Sequence, residues 1–404
     1  MIPDLDPVAV DSVTFVALSG ALALLAWSPA RRLFLPALAG AGAIMALSWL
    51  DWRDLGAMAI FLAGPYFAAR ALWGRKDKEA TAVIVGVVVW QLLLFLAIKR
   101  YPWFDVLGWL DQPVAVIGIS YILFRQIHLV VDARFLGHCA FSPLRYVGFI
   151  LSPWTLVAGP IQRYDGFCHG LDEVRRPDTG TLLAGAHRIV NGLLLAFVLA
   201  PLFLDPSRIG NLGHPEADWL DFLVVFYGFP IYLYLNFSGY THMMIGAAAL
   251  CGFSNLPENF NHPYLARNTR DFWTRWHISF GLWIKHYVFT PVCTRLFKAA
   301  RPEWHWLMMV IAVLVAFYVV GIWHGTTLNY LVFGLLQGGG VIVSAAFENG
   351  RKRLLGTAKA RELNKTVWFQ GVSILVTLHF TCATFLLLND HPDRLVEALG
   401  LFFS

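Results

Sequence analysis

The chain has 404 residues, of which 57% are hydrophobic, 15% aromatic and only 14% charged, and its mean hydropathy is +0.59. A soluble protein needs far fewer apolar residues to fill its core, so the composition excludes an ordinary soluble fold and indicates an integral membrane protein. The net charge of +5 is modest and lies at the edges of apolar segments, which favours lipid headgroups over nucleic acid as partners.

Apolar stretches recur along the whole chain. A helix needs about 20 apolar residues to cross the hydrocarbon layer, and about eleven stretches approach this length. Glycine and proline interrupt two of them, 114–131 and 145–160, which predicts kinked, re-entrant or interfacial segments there. The clear stretches lie at 12–28, 33–50, 55–73, 80–98, 182–204, 219–235, 307–323, 328–346 and 366–388. We therefore predict an all-α, multi-pass protein in which residues 1–404 form a single membrane domain.

The charges of the short loops predict the orientation of the chain. Basic residues in such loops favour the cytoplasmic side of a membrane. They follow the first and third apolar stretches, as Arg31, Arg32, Arg70, Arg75, Lys76 and Lys78. The N-terminal tail instead carries aspartates, so we expect the N-terminus outside the cytoplasm.

Residues 271–287 are polar where a membrane helix should be apolar. They read DFWTRWHISFGLWIKHY, with histidines and an aspartate among the tryptophans. On a helix of 3.6 residues per turn, the aromatic side chains fall on one side and a polar stripe with His277 on another. Such a helix is typical either of an anchor in the headgroup layer or of the wall of a site.

The two preceding segments favour the wall of a site. Residues 252–270 are polar and rich in turn-forming residues, and residues 234–253 carry Asn236 and Tyr240 at the start of an apolar helix. Polar groups inside a membrane are costly and face a protein interior or a wet cavity. We therefore expect these segments and residues 271–287 to line one polar funnel.

A second unusual feature lies at the end of the apolar run 307–323. His324 follows this run, and apolar character resumes only after Asn329. One interpretation is a helix end at the interface, with Trp323 as an aromatic anchor and His324 as a cap. The other is a functional histidine, and hydropathy alone leaves both open.

Several motifs resemble, in order, those of the membrane-bound O-acyltransferase family. They are GISYILFRQIHLVVD (118–132), SPWTLVAGPIQRY (152–164), YLNFSGYTHMMIG (234–246), LPENFNHPYLARNTRDFWTRWHIS (256–279) and GIWHG (321–325). The resemblance covers roughly residues 115–340 and is to the bacterial branch that includes alginate O-acetylation and teichoic acid D-alanyl transfer proteins. Together with the apolar stretches, it indicates an all-α fold of about eleven membrane helices, plus re-entrant or interfacial segments, around a central funnel.

The resemblance also implies residue roles. His324 would be catalytic, and His277 would lie in the same funnel. Asn236 departs from the family, which commonly has aspartate at this position, and His242 departs from the alginate branch. These departures leave the acyl group open. We expect acetyl transfer to a cell-surface polysaccharide, with D-alanyl transfer to an envelope polymer or lipid as the alternative.

Acyl transfer from a thioester to a hydroxyl needs a base for the hydroxyl proton and a donor for the developing oxyanion. Histidine suits the first task because its unperturbed pKa is near 6.5. The candidates for the second task are His277, Trp273, Arg275, Trp276 and Asn329, and the remaining expected funnel residues are Asn236, Tyr240 and Asn259. No GxSxG elbow or Cys–His arrangement marks an acyl-enzyme nucleophile, which favours direct transfer or a partner's thiol.

The resemblance further implies the partners. We expect no bound cofactor, metal or nucleic acid. The donor would be acyl-CoA or a carrier protein's phosphopantetheine on the cytoplasmic side, and an extracytoplasmic acyltransferase or relay protein would act on the other side. Membrane lipids would surround the chain in a bacterial cytoplasmic (inner) membrane.

The alternative from another class is a secondary transporter or proton-coupled channel. Such proteins also have broken helices and ionisable residues at membrane depth. Many of them contain two related halves, whereas RWHIS and GIWHG each occur once in this sequence. A structural scaffold would leave His277 and His324 unexplained. We therefore prefer the acyltransferase.

Overall fold

The computed structural model describes residues 13–47, 52–75, 79–99, 118–213, 217–253, 255–325 and 327–389. Within these ranges the chain is helical, with short connections and no β-strand. The predicted all-α class is confirmed for this part of the chain.

The N-terminal half of the described chain forms nine α-helices of 4 to 21 residues. They are α1 (Val13–Trp27), α2 (Phe34–Leu47), α3 (Trp52–Leu72), α4 (Glu79–Ile98), α5 (Ile119–Asp132), α6 (Pro143–Ile150), α7 (Tyr164–Asp172), α8 (Thr179–Leu193) and α9 (Pro201–Leu204). A π-helical segment, Leu194–Leu199, connects α8 to α9.

The C-terminal half contains the longest helices. They are α10 (Trp219–Leu250), α11 (Thr269–Trp273), α12 (Ile278–Ile284), α13 (Thr290–Ala299), α14 (His305–His324), α15 (Leu328–Leu355), α16 (Thr357–Leu363) and α17 (Val367–Phe385). A second π-helical segment, Lys285–Phe289, lies between α12 and α13.

Seven helical segments of the described residues are long and apolar enough to cross a bilayer. They are Leu55–Leu72, Ala80–Ile98, Thr179–Gly213, Trp219–Leu250, Pro302–His324, Leu328–Leu355 and Val367–Leu388. The multi-pass prediction is therefore confirmed. The remaining predicted spans correspond to shorter helices: α1, α2, α5 and α6 have 15, 14, 14 and 8 residues. The first residues of the predicted stretch 114–131 lie outside the described part.

The predicted break within 219–253 is wrong. We expected a span at 219–235 and a separate polar-headed helix after it, but α10 runs without interruption over 32 residues. Pro230 lies inside this helix. Proline is tolerated in membrane helices because neighbouring groups satisfy the backbone carbonyl that it leaves free.

The chain divides into two compact units, with one boundary inside α10. The first contains the described residues of Leu193–Gly239 and Glu258–Ser404, and the second those of Asp6–Gly192 and Tyr240–Pro257. In the second unit, α2 packs on α6, and α3, α4 and α5 pack on one another. In the first unit, α15 packs on α11, α14 and α17. The single domain and the central funnel stay predictions.

Close packing of α14 on α15 positions His324. A Cβ atom added at Gly334 would lie 2.3 Å from the carbonyl oxygen of Phe317, and one at Gly321 would lie 2.7 Å from that of Tyr330. Small residues at such contacts let two helix backbones approach closely. The C-terminal end of α14 is thereby held against the first turns of α15.

Candidate functional site

The segment around His277 is not the continuous amphipathic helix that we predicted. Helix α11 ends at Trp273, and α12 begins at Ile278. Between them His277 has a φ of 43°, in the left-handed region, which a non-glycine residue adopts only under local constraint. Residues 271–287 therefore form two short helices joined by a turn, followed by a π-helical segment.

The constraint on this turn comes from the polar segment that precedes it. The backbone N–H of Asn261 donates to the carbonyl of Arg275, and the N–H of Ile278 donates to the carbonyl of Asn259, both over 2.9 Å. One bond involves the residue two positions before His277 and the other the residue directly after it. The polar stretch upstream of α11 thus holds the turn in place.

The side-chain oxygen of Asn259 gathers three donors. It lies 3.1 Å from Nδ1 of His277, and it accepts from the backbone N–H and the hydroxyl of Ser279 over 3.1 and 2.8 Å. A backbone N–H can only donate, so the atom facing Ser279 is the amide oxygen. His277 must therefore carry its proton on Nδ1, which makes Nε2 the acceptor atom of the neutral ring.

His277 is buried among aromatic rings. It is 3% exposed, and its ring centroid lies 4.8 Å from Phe237, 5.1 Å from Phe280 and 6.0 Å from Trp323. Burial, reinforced by the neighbouring His324, lowers the pKa of His277. The imidazole is therefore neutral at neutral pH, which is the form whose Nε2 can accept a proton or a hydrogen bond.

His324 is the last residue of α14 and is partly buried. Its ring lies 4.5 Å from that of Trp323, 5.3 Å from Phe333 and 6.5 Å from Tyr330, measured between centroids. Trp323 thus contacts both histidines. The structure therefore places His277 and His324 next to the same indole, and their roles in one site stay a prediction.

Trp273 has a structural partner. Its indole N–H donates to Oε1 of Gln337 over 3.1 Å, and Nε2 of Gln337 donates to the hydroxyl of Thr384 over 2.7 Å. This donor is therefore committed to a buried polar chain that ties α11 to α15 and α17. Trp273 is not free to stabilise an oxyanion in this conformation.

The contacts of Trp276 and Arg275 also stabilise the turn. Trp276 is 8% exposed and stacks on Phe272, with ring centroids 5.7 Å apart. Nε of Arg275 donates to a carboxylate oxygen of Asp271 over 2.8 Å. This ion pair spans one helical turn, so the guanidinium is occupied at the end of α11.

The remaining candidate residues are dispersed. Nδ2 of Asn329 donates to the carbonyl of Leu387 over 2.7 Å, and Nδ2 of Asn236 donates to the hydroxyl of Tyr232 over 3.3 Å. Both asparagines belong to the same unit as His277 and His324, whereas Tyr240 belongs to the other unit. Tyr240 is buried there, at 4% exposure.

Asn259 offers one donor to a ligand. It is 1% exposed, and its Nδ2 has no hydrogen-bond partner within the described residues. An unpaired buried amide is costly, and such groups concentrate where a ligand or water binds. Together, Nδ2 of Asn259 and Nε2 of His277 supply one donor and one acceptor.

Sequence reasoning missed Ser279 and Gln337. Both are buried, at 4% and 0% exposure. Gln337 stands alone among Leu, Gly and Val, and a lone polar residue in an apolar helix is a signal that could have been used. Within the residues that the structure describes, no group of three His, Cys, Asp or Glu side chains is placed to hold a metal ion.

Comparison with known proteins finds relatives among the acyltransferases. Residues 139–388 match the sequence profile of the membrane-bound O-acyltransferase family. The teichoic acid D-alanyltransferase of Bacillus subtilis (strain 168) is 28% identical over 79% of this chain and 80% of its own length. That of Streptococcus thermophilus is 26% identical over 80% and 86%. A probable alginate O-acetylase AlgI of Pseudomonas aeruginosa is 28% identical over 60% and 45%.

Proposed function

Because the chain belongs to the membrane-bound O-acyltransferase family, we propose that it moves a short acyl group from a thioester to a hydroxyl of a cell-envelope polymer, with His324 as general base. The observation that supports this role is that the rings of His277 and His324 both lie close to the indole of Trp323. The family membership also sets aside the transporter alternative.

The reaction has one proton to move and one charge to stabilise. As the acceptor hydroxyl attacks the thioester carbonyl, His324 takes the hydroxyl proton and the carbonyl oxygen becomes an oxyanion. When the tetrahedral intermediate collapses, the carbon–sulfur bond breaks and the thiolate leaves. The protonated His324 then returns its proton to the sulfur, so the enzyme ends the cycle unchanged.

His277 and Asn259 would act on the same intermediate. Nδ2 of Asn259 is the buried donor without a protein partner, so it suits the developing oxyanion. With the proton on Nδ1 and directed at Asn259, Nε2 is the acceptor atom of the His277 ring. It would therefore orient the acceptor molecule by accepting a hydrogen bond from a second hydroxyl, next to the one that gives its proton to His324. Trp273, Arg275 and Asn329 would support the site through their own partners.

Two acyl groups remain candidates. Acetyl is our first expectation from the sequence, and D-alanyl is the alternative that the motifs leave open. The aligned lengths favour D-alanyl, since the D-alanyltransferases match along 80% and 86% of their length and the acetylase along 45%. We therefore propose a D-alanyl thioester as the donor, with an acetyl thioester as the second candidate.

The donor and the acceptor would bind on opposite sides of the membrane. The donor, acyl-CoA or an acylated carrier protein, would bind on the cytoplasmic side of a bacterial inner membrane. The acceptor would lie outside the cytoplasm. It would receive the acyl group either directly or through an extracytoplasmic relay protein. This arrangement delivers the energy of a cytoplasmic thioester to a compartment that lacks ATP.

The test is transfer in inverted membrane vesicles from cells that express the chain. One reaction receives radiolabelled acetyl-CoA, and the other receives a carrier protein loaded with radiolabelled D-alanine on its phosphopantetheine. Label should enter alkali-labile esters of the envelope fraction from one donor only. The acid released by mild alkali identifies the acyl group.

Two variants control this test. His324→Ala should abolish the label, while His379→Ala should not, because His379 is an exposed histidine bonded to Tyr227 on α10. Label that persists in His324→Ala vesicles at the level of the unmodified chain would contradict the proposed base. Absence of label with both donors would contradict the proposed substrate class.

A further inference from the structure

A cavity of about 570 Å³ lies in the second unit, away from the residues of the proposed reaction. Arginines reach it from three elements: Arg31 and Arg32 from the turn before α2, Arg145 from α6, and Arg175 from the chain after α7. The only carboxylates in its described wall are those of Asp172 and Glu173. The cavity therefore has more positive than negative charges.

The two carboxylates already have partners. Asp172 lies 3.5 Å from a guanidinium nitrogen of Arg145, and Glu173 lies 3.2 Å from Nδ1 of His169. Arg31 and Arg32 form no ion pair with any residue that the structure describes. Two exposed guanidinium groups thus face the cavity with their charge unbalanced.

We propose that this cavity binds a phosphate-bearing anion. A guanidinium group presents a planar fork of N–H donors that can bind two phosphate oxygens at once. Several such groups around one concave site favour a phosphate, which has more acceptor oxygens, over a carboxylate. The volume is within the usual range of small-ligand sites, roughly 300–1,000 Å³.

The wall of the cavity is also partly apolar. Phe34 and Leu35 contribute from the start of α2, and Leu171 and Val174 from the end of α7. An apolar wall beside an arginine cluster suits the headgroup and upper acyl chain of an anionic phospholipid. A soluble phosphate compound would use the arginines alone. Both sources share the phosphate, and experiment separates them.

The expected orientation is consistent with such a ligand. Arg31 and Arg32 belong to the basic loops that the charge distribution places on the cytoplasmic side. The cytoplasmic leaflet carries the anionic lipids, and each nearby Arg or Lys strengthens its attraction. Binding of an anion to this cavity can be measured without acyl transfer.

The experiment uses the purified full-length chain in neutral detergent micelles. In the first arm, phosphatidylglycerol and phosphatidylcholine are offered in equal amounts, and retained lipids are counted by native mass spectrometry. In the second arm, inorganic pyrophosphate is titrated into lipid-free micelles by calorimetry. The test variant is Arg31→Gln/Arg32→Gln, and Arg175→Gln alone serves as a second, milder variant.

The matched control is Arg353→Gln/Arg361→Gln, which removes two exposed arginines of α15 and α16 and causes the same change in net charge. We expect the Arg31→Gln/Arg32→Gln protein to bind its ligand roughly tenfold more weakly, and the control to bind like the unmodified chain. Arg31 and Arg32 are exposed and unpaired, so the variant should remain monodisperse.

Selective retention of phosphatidylglycerol that the test variant loses would identify a lipid site. Pyrophosphate binding that the test variant loses would identify a site for soluble phosphate compounds. The proposal is overturned if both lipids are retained equally and pyrophosphate does not bind. Equal weakening in the control pair would also overturn it, since binding would then depend on net charge alone.

Discussion

Nδ1 of His277 lies 3.1 Å from the side-chain oxygen of Asn259. The two residues are 18 positions apart, and neither belongs to a membrane-spanning helix. Because the same oxygen accepts from Ser279, the pair fixes the tautomer as well as the orientation of a buried imidazole. A second residue that holds a histidine in one tautomer is a common feature of acyl-transfer sites.

The first prediction removes this acceptor. Asn259→Ala removes the acceptor that three buried donors share, so we expect a loss of about 1–3 kcal/mol in the free energy of unfolding. Activity per folded molecule should fall at least about tenfold, because both the His277 orientation and the Nδ2 donor are lost. Thermal unfolding and transfer assays on the same preparation measure the two effects separately.

The exposed Asn364 provides the control for this prediction. Asn364→Ala should change neither the unfolding temperature nor the transfer rate. If Asn259→Ala were as active per folded molecule as the unmodified chain, Asn259 would have a purely structural role.

The second prediction concerns pH. Burial lowers the pKa of His277, so its neutral form is present throughout the neutral range. In Asn259→Asp, a carboxylate beside Nδ1–H would raise that pKa, because it stabilises the imidazolium. The variant should therefore lose activity as the pH falls from about 8 to about 6, whereas the unmodified chain should not. Superimposable pH–rate profiles would show that protonation of His277 does not limit the reaction.

Some of the site follows from sequence because the relevant pattern is local. The apolar run 307–323 predicted a helix ending at His324, and α14 spans His305–His324. A continuous apolar run is the strongest sequence signal in a membrane protein, since every backbone polar group must be satisfied within the helix.

The turn at His277 could not be predicted in the same way. Its side chains have the period of a helix, but its left-handed φ is stabilised by hydrogen bonds to residues 259 and 261. Similarly, the sequence makes Trp273 a candidate oxyanion donor, but its acceptor Gln337 lies 64 positions away along the chain. Long-range partners of this kind are decided by packing, which composition and periodicity do not encode.

The third prediction tests Trp273 and Gln337 as structural partners. Gln337→Leu leaves the indole N–H of Trp273 and the hydroxyl of Thr384 without this partner, so the unfolding temperature should fall. Transfer by the molecules that remain folded should change less than threefold. A large loss of rate with no loss of stability would instead place Gln337 in contact with substrate.

The fourth prediction concerns Asn236, a position at which the family resemblance leads us to expect aspartate. Its Nδ2 donates to the hydroxyl of Tyr232, one turn earlier on α10. In Asn236→Asp the tyrosine hydroxyl can reverse its role and donate to the carboxylate. The variant should therefore keep its stability, transfer rate and acyl-donor preference. A changed preference between acetyl and D-alanyl donors would assign Asn236 to specificity.

The last prediction asks whether His277 and His324 act in one step. Each contacts Trp323, at 6.0 and 4.5 Å between ring centroids. His324→Ala should leave only a small residual rate, detectable after long incubation, because it removes the base. His277→Ala should reduce the rate by roughly 10²–10³-fold, since water can partly replace its Nε2 acceptor.

The informative measurement is the double variant. If the two histidines serve the same transition state, His277→Ala/His324→Ala should be no slower than His324→Ala alone, because a missing base leaves nothing for His277 to orient. If they serve independent steps, the two losses should multiply. Residual rates must be compared with the same donor, acceptor and membrane preparation. A His277→Ala protein as active as the unmodified chain would return residues 271–287 to the role of an interfacial anchor.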